Sequence, residues 1–219
     1  MPNIIVYNNR TNRMERGFFN LNDPMPYAGP SLTVREFRGS SRSDLLWTDV
    51  RAMEAWRQFR TYWGRPIYVG YAFKRIGEGG HSDQSQHYAG MSFDVGQNLA
   101  DAERSRLRNA AIQSGIWSYV EPASLTPTWV HFDKRQGTPA CPTGGYPLLR
   151  EGSRGTYAAT LQDALQTVGI PAVAIDGIFG PGTKKAVQTF QRENGLAVDG
   201  IVGCNTWREL TKKANGALR

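Results

Sequence analysis

The octapeptide DGIFGPGT, Asp176 to Thr183, returns as DGIVGCNT, Asp199 to Thr206, so that each copy reads Asp-Gly-Ile-x-Gly-x-x-Thr. A turn of this kind is a strong local constraint. Glycines take backbone angles closed to other residues, and the closing threonine is suited to cap a helix that follows. Helix-like runs do follow, KKAVQTFQREN after the first copy and WRELTKKA after the second. In the first, Ala186, Val187, Phe190 and Leu196 suggest an apolar face. Ahead of both, Leu161, Ala164, Leu165 and Val168 form one helical stripe that Gly169 ends. The pattern predicts a small all-α module of three helices, residues 150–219.

The rest of the chain reads differently. TDVRAMEAWRQFRTYWG and DAERSRLRNAAIQSG are helix candidates ending at Gly64 and Gly115, whereas RPIYVGYAF, SFDVG, GIWSYVE and PTWVHFD read as strands. Residues 1–138 are therefore expected to form an α+β domain with helices on a small antiparallel sheet. Residues 139–149, containing PACPTGGYP, are expected to be the linker. The first 45 residues carry no pattern that assigns them a role.

The net charge of +7 favours an anionic partner: nucleic acid, an anionic membrane or a cell-wall polymer. The basic residues are scattered and form no recognised nucleic-acid motif, so no nucleic-acid partner is expected. No stretch approaches the ~20 apolar residues of a membrane span. The N-terminus lacks the pattern of a secretion signal, which implies a chain cytoplasmic as made and released by lysis or a non-classical route. Two cysteines, Cys141 and Cys204, read as free buried thiols, with one bridge between them as the lesser alternative. A monomer is expected.

The chemistry concentrates in SQHYAGMSFDVG, residues 85–96, where His87 precedes Asp94 by seven positions. His131 lies in PTWVHFD, and strand alternation places Trp129, His131 and Asp133 on one face. Two histidines and an aspartate are a donor set for catalytic zinc, with a fourth position left for water. The third histidine, His81, sits in a glycine-rich loop and reads as solvated. Taken alone, the His/Asp spacing favours structural histidines hydrogen-bonded near the surface over a metal site.

The C-terminal segments LREGSRG, LQDALQTVGI, DGIFGPGTKKAVQTFQRENGL and DGIVGCNTWREL resemble the peptidoglycan-binding domain found at the ends of many cell-wall hydrolases. VGYAFKR, SQHYAGMSFDVG and TWVHFD, in that order, resemble the zinc-dependent D-Ala-D-Ala carboxypeptidases and endopeptidases of the M15 family over residues 50–135. That family's Ser-x-His-x-x-Gly-x-x-x-Asp motif falls here on Ser85, His87, Gly90 and Asp94, and its late histidine on His131. The resemblance implies zinc held by His87, Asp94 and His131. It also implies a substrate-binding arginine, for which Arg75 stands two residues late. The family's general base usually lies two or three residues before the late histidine, where this chain has Trp129 and Thr128. Asp133 or Glu121 is left for that role, with His81 next. Together the two resemblances imply a zinc peptidase that binds and cuts the peptides of bacterial peptidoglycan, either trimming a terminal D-Ala or opening a cross-bridge. The alternative is a non-catalytic wall-binding or spore-associated protein that retains the zinc site.

Overall fold

The structure, a computed structural model, describes residues 1–170 and 174–216; the remainder of the expected 150–219 module lies outside the described residues. Two strands open the chain, β1 (Asn3–Asn8) and β2 (Arg13–Phe18), followed by the short helix α1 (Val34–Arg38), β3 (Leu45–Asp49) and α2 (Val50–Trp63). β4 (Val69–Tyr71), β5 (Ser92–Val95), α3 (Asp101–Ser114), β6 (Tyr119–Val120) and β7 (Val130–Asp133) come next. The helices α4 (Thr156–Thr167), α5 (Pro181–Glu193) and α6 (Cys204–Gly216) complete the order.

The expected antiparallel sheet is present, in the order β4-β5-β7-β6. A second sheet, β2-β1-β3, joins two strands of the N-terminal segment that the sequence left without a role to β3, and its β1–β3 pair is parallel. It positions the chemistry directly. The Trp47 indole N–H donates to Tyr88 O at 2.9 Å, and Thr48 Oγ1 donates to Gly90 O at 2.8 Å. Gly90 has φ +64°, and a Cβ there would stand 2.0 Å from Trp47 O. Only glycine lets the loop before β5 lie against β3 this closely.

α2 and α3 end as expected, each with a left-handed glycine, Gly64 and Gly115. α2 starts on Asp49, whose carboxylate accepts from Arg51 N, and buries Met53, Trp56 and Phe59. Trp56, Phe59, Phe93, Trp117 and Phe132 form a chain of ring contacts that carries the four-stranded sheet on this helix. β4 and β6 are shorter than the apolar runs around them suggested.

The three C-terminal helices form as predicted, but the duplicated turn is held by a different device. Thr183 and Thr206 lie inside the first turns of α5 and α6 instead of capping them, and α5 starts on Gly180 with no side-chain cap. The turns are tied by two buried glutamines. Gln162 donates to Asp176 Oδ1, Ile178 O and Thr183 Oγ1 and accepts from Asp176 N and Gly177 N. Gln191 repeats the pattern on Asp199, Ile201 O, Thr206 and Gly200 N. Each amide satisfies donors and acceptors of a turn that would otherwise be buried unpaired.

The apolar interior is continuous from Ile4 and Trp47 through Phe93 and Phe132 to Leu161, Phe190 and Trp207. The segment expected as linker is packed as well. Pro139 and Pro147 form a β-bridge, Tyr146 is fully buried and its hydroxyl donates to Ser85 O at 2.5 Å. Cys141 and Cys204 form a disulfide, which replaces the free-thiol reading and ties this segment to the start of α6. Spacing in sequence gave no hint of the pair, because only the packing of α6 brings the two residues together.

Candidate metal centre

β5 and β7 are neighbouring antiparallel strands in which Asp94 stands directly opposite His131. Directly opposed residues share a face of the sheet. The next strand continues the row: Tyr119 pairs with Asp133 and Val120 with Phe132, and Glu121 N donates to His131 O at 2.9 Å. Asp94 and His131 therefore stand opposite each other on β5 and β7, and Glu121 follows in register just past the end of β6. His87 enters from the loop before β5, which β3 supports.

The polar contacts are short. His131 Nδ1 lies 2.7 Å from Asp94 Oδ1 and its Nε2 lies 3.3 Å from Asp133 Oδ2. His87 Nε2 is 3.2 Å from the same Asp94 oxygen. His81 joins the group, its ring stacked on that of His87 with centroids 4.4 Å apart. One ligand atom each from His81, His87 and Asp94 lies within 4.8 Å of the others. The loop of His81 is fixed by Asn215 of α6, which donates to His81 O at 2.9 Å and to Asp83 Oδ1 at 3.0 Å. The expectation of a solvated His81 is thus replaced by a partly buried one; the support comes from a residue 134 positions away, which no local pattern reveals.

Electrostatics follow from this crowding. Burial, then the neighbouring His87, lowers the His81 imidazole to about 3. Burial disfavours charge on His131, but its bonds to Asp133 and Asp94 outweigh that and raise it to about 9. Burial alone pushes Asp94 up, yet His87 and His131 hold it well below the usual carboxylate range. Asp133 is likewise lowered against its burial, by Arg135 and His131.

A cavity of about 370 Å³ opens over the cluster, lined among others by His87, Asp94, Glu121, Trp129, His131 and Arg135. Of the two candidate bases, Glu121 lines this cavity. Asp133 is fully buried and accepts from Arg135 N at 3.0 Å and Arg135 Nε at 2.8 Å as well as from His131. The Glu121 backbone is held by Arg108, whose guanidinium also donates to Thr126 O and Trp129 O, each at 2.7 Å. Sequence reasoning missed Arg108; an arginine buried on α3 gives no signal until the loop wraps it. Arg75 lies elsewhere. It donates Nε–H to Asp163 Oδ1 of α4 at 2.7 Å, with its guanidinium over the Trp47 ring.

The residues fit a metal ion. His81 Nε2 is buried without a hydrogen bond, and His87 Nε2 faces only the Asp94 carboxylate oxygen at 3.2 Å, which is costly unless a ligand uses them. His87 Nδ1 lies 3.0 Å from Ala72 O, so that Nδ1–H donates there and Nε2 keeps its lone pair free. Imidazoles and one carboxylate are a zinc donor set.

The family described as "Putative peptidoglycan binding domain" matches residues 154–210. The zinc D-Ala-D-Ala carboxypeptidase of Streptomyces albus G is 47% identical over 66 residues, 28% of this chain and 25% of its own. The spore cortex-lytic enzyme of Oceanobacillus iheyensis is 37% identical over 68 residues, 31% of this chain and 25% of its own. The solved SleB N-terminal domain is 36% identical, covering 31% of this chain and 92% of that one, at a TM-score of 0.30. This chain thus spans about a quarter of the length of those two curated relatives, and the likeness is confined to the binding segment. Residues 154–210, with their paired Asp-Gly-Ile turns, are a peptidoglycan-binding domain of that family.

Proposed function

We propose that the chain is a zinc-dependent peptidoglycan peptidase, a D-Ala-D-Ala carboxypeptidase or cell-wall endopeptidase. One observation carries the reading: a buried His/Asp cluster, with no hydrogen bond at His81 Nε2, opens into a cavity beside a peptidoglycan-binding domain. His87, Asp94 and His131 hold the ion in this reading, and His81 stands beside them. His131 would offer one of its two ring nitrogens, which here meet Asp94 and Asp133. When bound, zinc supplies polarisation of the scissile carbonyl and a lowered pKa for water.

The chain's own groups do the rest. Glu121, facing the cavity in line with His131, accepts a proton from the attacking water and returns it to the leaving amine. Asp133 orients His131 and is itself held by Arg135. Arg135 lines the cavity and is the arginine suited to take a substrate carboxylate there; Arg75, paired with Asp163, braces α4 against the strand bearing Trp47.

A second reading, a wall-binding protein without catalysis, is favoured by Thr128 and Trp129 at the positions where the M15 pattern has its base. Digestion of purified peptidoglycan with mass analysis of the fragments separates the two. Release of D-Ala or of opened cross-bridges supports the peptidase; intact peptides from zinc-loaded protein support the binder.

A further inference from the structure

Beside the site cavity lies a larger one of about 740 Å³, walled on one side by the loop of Asp83 and on the other by Arg208, Glu209 and Lys212 of α6. The two cavities share Ser82, Gln84 and Gly145. Gln84 and Gly145 form the saddle between them. Gln84 Oε1 accepts from Tyr146 N at 2.8 Å, and a Cβ on Gly145 would stand 2.3 Å from that oxygen. Gly145 also has φ +106°, a conformation suited to glycine. The walls are anchored at both ends of α6, by the Cys141–Cys204 disulfide near its start and by Asn215 on the His81 loop near its end.

We propose that these cavities are one substrate groove, and that the outer one holds the part of a peptidoglycan peptide remote from the scissile bond. This rests on the peptidase reading. The lining is hydrogen-bonding and carries both signs of charge. Arg208 and Lys212 are exposed and one helical turn apart, while Asp83 and Glu209 supply carboxylates. A lining of that kind suits a zwitterionic segment, a peptide arm bearing both a free amino and a free carboxylate group. The last helix of the binding domain is then a wall of the catalytic groove as well as part of a wall anchor. Contacts remote from the reacting bond hold a long substrate in register and raise its turnover over that of a truncated one.

The test uses the full zinc-loaded chain and two soluble probes, a cross-linked dimer of stem peptides and an acyl-D-Ala-D-Ala peptide too short to cross the saddle. Calorimetry gives affinities, and zinc content and cleavage by the unsubstituted protein are measured on the same preparation. The unsubstituted chain should bind the dimer at least about tenfold more tightly than the short peptide. The R208A/K212A pair, both exposed, should lose most of that ratio. Asn205→Trp, which narrows the outer cavity from an exposed position and keeps the charges, should lose it too. Equal affinity for both probes in the unsubstituted chain, or an undiminished ratio in both variants, overturns the groove. Cleavage of neither probe by zinc-loaded chain overturns the peptidase reading instead, and the affinity ratio is then read separately.

Discussion

Asp94 and His131 are cross-strand partners whose side chains meet at 2.7 Å, and Glu121, just past β6, extends their row. A centre built on paired strands is stiff, because moving either side chain means disturbing a ladder of backbone hydrogen bonds. The metal and the base are therefore expected to respond separately to substitution.

For the metal, His87→Ala should reduce zinc from about one per chain to near none, since His87 offers a buried free nitrogen and a fixed tautomer. His131→Ala should do the same, and His81→Ala, which removes the free nitrogen beside those ligands, should weaken zinc binding without abolishing it. Elemental analysis of the three purified variants checks this. Zinc lost with His81→Ala and kept with His131→Ala would move the third ligand from the strand to the loop.

For the base, Glu121→Gln should cut peptidoglycan hydrolysis by about 10²–10⁴-fold with zinc retained. Asp133→Asn should cost about 10–100-fold, expressed through zinc affinity, because Asp133 orients His131 and does not face the cavity. Rates and zinc titrations on both variants decide; the reverse ordering, with zinc bound in each, would return the proton transfer to Asp133.

For the packing of α4, Arg75→Ala should leave the Asp163 carboxylate buried without its charged partner. Removing one member of such a pair typically costs about 3–5 kcal/mol, and the partial exposure of Arg75 argues for the lower end. Chemical denaturation of the variant should show this loss. A change under about 1 kcal/mol would mean that water replaces the arginine.

For the disulfide, reduction or a Cys141→Ser/Cys204→Ser pair should lower stability by about 2–4 kcal/mol. A thermal melt with and without reductant measures it, and an identical melt in both would show that packing alone holds residues 139–147 on α6.

The helical module was legible because its signal is local and duplicated: two Asp-Gly-Ile turns and the stripes between them. The trio His87, Asp94 and His131 was legible by resemblance to a spaced motif. What stayed hidden depends on distant chain. Gln162 and Gln191 look like ordinary helix surface residues until the turns fold over them and present their donors and acceptors. His81 is drawn in by Asn215, and the two cysteines meet only after α6 packs. β3, just past the first 45 residues, supports the loop through one indole N–H and one threonine hydroxyl, and a single Trp and a single Thr make no motif.

The Asn215 contact also sets an order of assembly. The residue that secures the His81 loop is made after every strand of the four-stranded sheet. During translation the earlier chain emerges first and begins to fold first. The centre therefore gains its final brace only when α6 has left the ribosome, so a nascent chain holding all three candidate ligands still lacks one side of the candidate cleft.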